Sequence, residues 1–365
     1  MNQKKSLKLL IPILSVTIGM LFGALIMLLF GYDPIQGYRA LVDGAIGSPF
    51  NIGQTIRAAT PLIFTGLGFS IAYTAGFFNI GLAGQALWGW LISVWIGISF
   101  PDAPKVILLP CAIILGSLAG ALWAAIAGVL KAFFNTSEVI VTIMLNYVAV
   151  YITDYTIRNI ITDRMDATPY IGPNASLKIQ SLTDLTKGST IHGGIFLALI
   201  FALLVYILLH YTTLGFELKT VGMNRFAATY AGMDAKRNII IAMFLSGALA
   251  GLGGVMNGLG EFRNIFLTNG VAPAIGFDGM AVALLGVLNP IGIVFSSLLF
   301  GGLKTGGTSM PLMAQIPSEI VDIVIASIIF FVGANYVITY FFEKKQSVPR
   351  GAASKTSQNG GEAHD

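Results

Sequence analysis

Apolar residues in this chain come in long, nearly unbroken runs, not in the narrow stripes of a soluble helix or the alternation of a half-buried strand. Ten runs can be marked, at 9–30, 59–75, 77–98, 106–130, 138–157, 193–210, 239–260, 274–288, 291–303 and 319–342. A bilayer core needs about 20 apolar residues per helical crossing and admits no open strand. The pattern therefore predicts an all-α, polytopic integral membrane protein with about ten transmembrane helices. The first run follows Lys4, Lys5 and Lys8 and is too long for the apolar core of a secretion signal, so it is expected to be a retained helix. Residues 1–8 then form a short cytoplasmic N-terminus and 9–342 the membrane domain. Residues 343–365 form a cytoplasmic tail, small and polar after Arg350, that is expected to be disordered.

Three of the runs, 59–75, 274–288 and 291–303, are short for a crossing and are bounded by Gly, Pro and Asn. Interrupted helices in a membrane are a pointer to a solute path, because unwound backbone needs protein or water to satisfy it. The first is followed by GFFNIGLAGQ at 76–85, and the second contains GFDGMAVALLG at 276–286. Both begin Gly-Phe and then present an amide or a carboxylate, a pattern that points to internal duplication. Phe78, Asn79, Gln85, Phe277 and Asp278 are therefore the candidate path residues. Asp278 can serve as an acceptor along a hydrated route or as a cap on the helix that starts beside it. For Asn79 and Gln85 the lining and structural roles are both open, while Phe78, Trp88 and Phe277 can stack on solute or simply pack. Asn146, Asn257, Asp322 and Asn335 are expected to bond between helices. In GALAGLGGVMNGLG, at 247–260, the pairs Gly247/Gly251 and Gly254/Gly258 have the spacing of close helix contact, as does the stripe Gly116, Gly120, Ala124, Gly128.

Composition sharpens the class. Hydrophobic residues make up 55% of the chain and charged residues 10%, against about 25% charged in ordinary soluble domains. That leaves no room for a soluble enzyme domain. The net charge of +4 is scattered among loops, which fits membrane orientation rather than nucleic-acid binding. With the N-terminus inside, Lys131, Lys219, Arg225, Lys236, Arg237 and the basic tail fall in the cytoplasm, as the positive-inside rule requires. Outside fall the segment 31–58, the extracytoplasmic loop 159–192 and short links near Lys105, Arg263 and Lys304. The lone cysteine, Cys111, lies in an apolar run, excludes an intrachain disulfide and reads as a small core residue.

The cytoplasmic loop 211–238 carries TVGMNRFAATYAGMDAKRN at 220–238. Asn224 can cap a short helix over 225–231 that Gly232 closes. Such a stiff exposed element, with Ala227, Ala228 and Ala231 as a smooth face, suits receipt of force from a soluble partner. A connector lying on lipid headgroups is the other reading. There is no GxxxxGK[ST] phosphate loop, no His, Cys or carboxylate set at metal-ligand spacing, and no nucleophile with its base. No catalytic role, no metal and no cofactor bound by this chain are expected.

At these residues the sequence resembles the permease subunits of bacterial ABC importers in the branched-chain amino acid, simple sugar and nucleoside group, most closely the guanosine-type nucleoside permeases. The resemblance rests on FNIG with the following Gly-Gln at 78–85, SEVIVTIMLNYVA at 137–149, VGMNRFAATYAGM at 221–233 and GFDGMAVALLG at 276–286. It covers most of 9–342. Where such permeases often read FNIGxEGQ, this chain has Ala83, which gives that position no acidic role. The resemblance implies a multi-pass protein of the bacterial cell membrane working by alternating access, with a second, paralogous permease. It implies a cytoplasmic ATPase that uses ATP and an extracytoplasmic lipoprotein that captures the solute. It further implies that Asn224, Arg225, Ala227, Ala228, Tyr230 and Gly232 belong to the coupling helix. Nucleosides are the expected solute; sugars or branched-chain amino acids, or a stand-alone ion-coupled carrier, are the alternatives.

Overall fold

Small residues decide which helices touch in this molecule. The structure, a computed structural model, describes residues 2–333. In chain order the helices are α1 Asn2–Leu29, α2 Pro34–Ile46, α3 Pro49–Thr74, α4 Leu82–Ser99 and α5 Lys105–Phe134. There follow α6 Glu138–Thr156, α7 Gln180–Leu185, α8 Gly194–Tyr211, α9 Thr213–Met223 and α10 Arg225–Tyr230. The last are α11 Ala235–Val255, α12 Ile275–Leu285, α13 Pro290–Gly307, α14 Met310–Met313 and α15 Ser318–Gly333. Helices α6 and α11 each end in a wider π turn, Ile157–Ile161 and Met256–Glu261. The described residues contain no β-strand, only two isolated bridges, Ala167 with Phe266, which ties the loop after α6 to the segment before α12, and Lys178 with His192 within that loop.

At the centre α4, α5 and α11 approach to backbone contact. Gly251 faces the carbonyls of Gly116 and Ser117 on α5, and a Cβ on Gly254 would fall on the carbonyl of Ala86 on α4. Both small-residue stripes of the sequence meet here, as their spacing predicts: lipid offers no hydrophobic drive, so close backbone packing joins the helices. Helices α3 and α12 lie against this seam and α13 packs on α3, while α1, α2 and α15 form a separate apolar cluster around Met27, Leu41, Met310 and Val324.

Among the described residues, six helices are long and apolar enough to cross a membrane: α3, α4, α5, α6 and α11 with their π turns, and α8. Leu14–Leu29 and α12 are shorter apolar helices. Several expected boundaries are corrected. The run 59–75 is no short span but the inner part of α3, a helix of 26 residues started by Ser48, whose hydroxyl accepts from the Asn51 N–H at 3.1 Å. Gln54 and Arg57 hid its first turns from an apolar reading. Residues 291–303 likewise belong to the 18-residue α13, capped by Asn289. The segment 31–58 is mostly helical, made of α2 and the first turns of α3. Cys111 is exposed on α5 rather than in the core, because the outer face of a membrane helix is as apolar as its inner one. The proposed disordered tail and Asn335 lie outside the described residues.

Candidate solute pathway

Two breaks among the described residues lie inside the bundle beside the candidate path, and they differ. At 75–81, between α3 and α4, Gly76 takes φ +84° and rests on Gly222 of α9. The backbone then climbs to the start of α4 under a buried amide cluster. The Asn79 and Gln85 side chains exchange hydrogen bonds at 3.0 and 3.1 Å, and Asn79 Nδ2 also donates to Ser246 Oγ at 2.9 Å on α11. Asn79 Oδ1 accepts from the Gly81 N–H at 2.9 Å. On the α6 side, Asn146 accepts from the Gly84 N–H at 2.8 Å and donates to the Ile80 carbonyl at 2.9 Å. Unwound backbone in an apolar medium is thus satisfied by fixed side chains.

The second break, 262–274, runs from the π turn of α11 down to α12, and here the space is open. A cavity of about 970 Å³ is lined by residues of α2, α3, α11, α13 and this segment. Thr190 of the loop 162–193 and the N-terminal half of α3 are part of its lining. The π turn sets Asn257 and Glu261 toward it, with the Phe262 N–H reaching the Asn257 carbonyl at 2.9 Å, the wider step that lets both residues line the wall. Glu261 Oε1 meets Arg57 Nη1 of α3 at 2.8 Å. Lys304 of α13 also lines the cavity and pairs with Asp278 of α12. The four ionised groups therefore form two neutral pairs, while Arg57 Nε and Thr305 Oγ1 are shielded without a hydrogen-bond partner.

An aromatic group walls one side. Trp90 is buried, its indole N–H donating to the Asn264 carbonyl at 2.8 Å. Phe262 stacks on it with ring centres 5.2 Å apart and a 19° tilt. Phe266 stands edge-on to both rings. The loop after α6 holds this wall: Thr168 N–H donates to the Ile265 carbonyl at 2.8 Å and Ile171 N–H to the Arg263 carbonyl at 2.7 Å. Asp154 accepts from the Thr268 N–H at 2.8 Å. In the same loop His192 is buried against Gly260; its Nδ1 accepts from the Gly194 N–H at 3.2 Å and its Nε2 has no partner. Burial first, and the Arg57 charge second, push its pKa from 6.5 down to about 4.

The candidates read from sequence divide accordingly. Asn79 and Gln85 lie in the amide cluster rather than on the cavity wall, and Phe78 packs edge-on against Phe69 at 5.2 Å. Phe277 is half-exposed on α12. Asp278 is joined to Lys304 instead of capping α12, whose start at Ala274 and Ile275 has no side-chain cap and opens on the cavity. The two Gly-Phe segments do meet, through Gly276, where an added Cβ would strike Ala83. The cavity residues Arg57, Trp90, Glu261, Phe262 and Lys304 were not among the candidates. Their signal was charge and aromatic rings at span ends, where snorkelling and interfacial anchoring are the ordinary explanations.

At the opposite end, α10 is the short helix expected, six residues from Arg225 to Tyr230. Asn224 Oδ1 accepts from the N–H groups of Phe226 and Ala227, each at 3.0 Å. Its C-terminus closes with Met233 N–H on the Ala228 carbonyl and Gly232 N–H on the Thr229 carbonyl, each at 3.0 Å, with Gly232 at φ +84°. That pairing and that φ are the Schellman arrangement. Ala227 and Ala231 are exposed, but Ala228 is buried: a six-residue helix must seat one face, and Ala228 is the seat. Phe226 and Tyr230, 78% and 94% exposed, point away from the chain.

A membrane-crossing helical bundle with a charge-balanced cavity at one end and a capped lever at the other has the build of a solute permease. The comparisons agree: residues 51–333 match the family described as branched-chain amino acid transport system / permease component, and the chain belongs to that family. It is therefore an integral membrane protein and a transport component rather than an enzyme. It is 46% identical over 341 residues to the guanosine ABC transporter permease protein NupP of Bacillus subtilis, covering 93% of this chain and 97% of that one. It is 44% identical over 357 residues to the nucleoside ABC transporter permease protein NupB of Lactococcus lactis, covering 96% and 98%. The glucose ABC transporter permease protein TsgB13 of Haloferax volcanii is 30% identical over 368 residues, covering 96% and 94%.

Proposed function

We propose that this chain is the translocating subunit of an ATP-driven importer of nucleosides in the bacterial cytoplasmic membrane. The observation that carries the reading is the cavity. Its ionised side chains are paired, Arg57 with Glu261 and Lys304 with Asp278, so it offers no net charge to a nucleotide or an amino acid. Its wall combines aromatic faces with amide and hydroxyl groups, the mixture that suits an uncharged, partly aromatic solute. The names of the two relatives above 40% identity point the same way. A sugar importer is the second reading, supported by the relative at 30% identity and by the same charge balance.

In this account the chain spans the membrane about ten times with both termini inside. Lys131, Lys219, Arg225, Lys236 and Arg237 gather at the α10 end, the side the positive-inside rule assigns to the cytoplasm. There Asn224, Arg225, Ala227, Tyr230 and Gly232 form the lever against a cytoplasmic ATPase, with Ala228 as its seat. The cavity then opens outward, toward an extracytoplasmic solute-binding lipoprotein, and a second permease completes the pathway. ATP binds to the ATPase and not to this chain. The amide-tied break and α12 move with the lever and close the cavity from below as solute passes.

The test is uptake by the complete transporter in proteoliposomes with ATP supplied on the ATPase side. ATP-dependent accumulation of guanosine is expected. Accumulation by this chain alone on a proton or sodium gradient, without nucleotide, would overturn the reading.

A further inference from the structure

The ring cluster beside the Arg57–Glu261 pair points to a binding subsite of its own. Trp90 is 6% exposed and locked by its bond to the Asn264 carbonyl, so it can offer a solute neither its N–H nor an open face. Phe262 lies on it nearly parallel at 5.2 Å, while Phe266 meets both rings edge-on at 5.2 and 5.4 Å. A centre spacing that short leaves no room for a third ring between Trp90 and Phe262, since a base needs its own stacking distance on each side. What remains free is the cavity side of Phe262, which is 37% exposed. Chain geometry alone therefore builds a rigid platform with one usable face.

Around that face stand groups that want partners. Glu261 is the preceding residue, and only one of its carboxylate oxygens is in the ion pair. Arg57 pairs through Nη1 and keeps 25% of its side chain exposed. A stacked ring with both donors and acceptors on its edge satisfies this set, and a sugar, with no π face, does not.

We infer that the cavity holds its solute by the base, with Phe262 as the stacking platform and Arg57 and Glu261 reading the edge of the heterocycle. The permease then selects among solutes itself instead of passing whatever a capture protein delivers. This rests on the nucleoside reading above, and it predicts an order: purine nucleosides over pyrimidine ones, by stacking area, and free ribose last.

The test is equilibrium binding of labelled guanosine to the assembled permease–ATPase complex in nanodiscs, without capture protein, beside ATP-driven uptake by the full transporter. Wild type should bind guanosine, with uridine competing more weakly and ribose not at all. Phe262→Leu should weaken guanosine binding about five- to hundred-fold and narrow the purine-to-pyrimidine ratio, while Phe262→Tyr restores both. Phe295→Leu, on the exposed face of α13, should bind as wild type does, which separates platform loss from general damage. Unchanged binding in Phe262→Leu, equal competition by ribose, or no binding to wild type while guanosine uptake persists would each overturn the subsite and leave the nucleoside reading standing. Absence of guanosine uptake by the full transporter would instead remove the nucleoside reading.

Discussion

The two breaks in this bundle end as opposites. At 75–81 the unwound backbone is sealed: Asn79, Gln85, Ser246 and Asn146 answer one another in a buried cluster. At 262–274 the backbone is propped from outside by the loop after α6, and its inner side faces a cavity of about 970 Å³. An interrupted membrane helix therefore need not be a path. It becomes a strut when side-chain amides can reach its free groups, and a path when they cannot and water or solute takes their place. The two are coupled through Gly276 on Ala83, so a shift of α12 is felt at the start of α4.

The largest expected effect comes from breaking the strut. Asn79→Leu removes partners from the Gly81 N–H, the Gln85 amide and the Ser246 hydroxyl, each worth about 1–3 kcal/mol when left buried and unpaired. Loss of the monodisperse peak on size exclusion is expected, whereas Asn257→Leu on the cavity wall should elute normally and fail in uptake. Next is the prop of the path. The folded-state pKa of His192, near 4, lies below its usual 6.5, so the unfolded chain binds the proton first. Its contribution to stability is complete above about pH 6.5 and is lost as pH falls toward 4, up to about 3 kcal/mol. The thermal midpoint in detergent should drop over that window, and less so in His192→Gln.

Third is the charge pair of the path. Arg57→Gln should cut uptake about ten-fold with the protein still folded, since the pair is partly solvent-screened and worth about 1–2 kcal/mol. The double change Arg57→Gln with Glu261→Gln should be milder than either alone, because neutrality is kept. Smallest is the lever. A Cβ at Gly232 meets nothing within 4 Å, so only its φ of +84° resists substitution, at about 1–2 kcal/mol. Gly232→Val should lower uptake a few-fold at normal assembly, and Gly232→Asn should be tolerated.

Much of this was legible in the chain. The apolar runs marked the all-helical membrane class, the Gly247–Gly251–Gly254 spacing marked the central seam, and Asn224 with Gly232 marked both ends of α10. The 75–81 break was visible as a polar, Gly-bounded interruption, but not whether it would be sealed, because Ser246 and Asn146 arrive from helices remote in sequence. Arg57 falls in the segment 31–58 that the sequence places outside the membrane, since a charge within the first turns of a helix lowers local hydropathy. Glu261 and Asn257 face the cavity only because α11 ends in a π turn, which shifts their register in a way no apolar pattern records.

The contrast between strut and path is tested most directly by thiol labelling in membranes of the assembled transporter. With Cys111→Ser as background, single cysteines replace Ile80 in the first break and Thr268, Val271 or Ala274 in the second, and a water-soluble maleimide is applied. Labelling at the 268–274 positions that guanosine slows, with none at 80, is the expected result. Equal labelling of both breaks, or a silent second break, would contradict it.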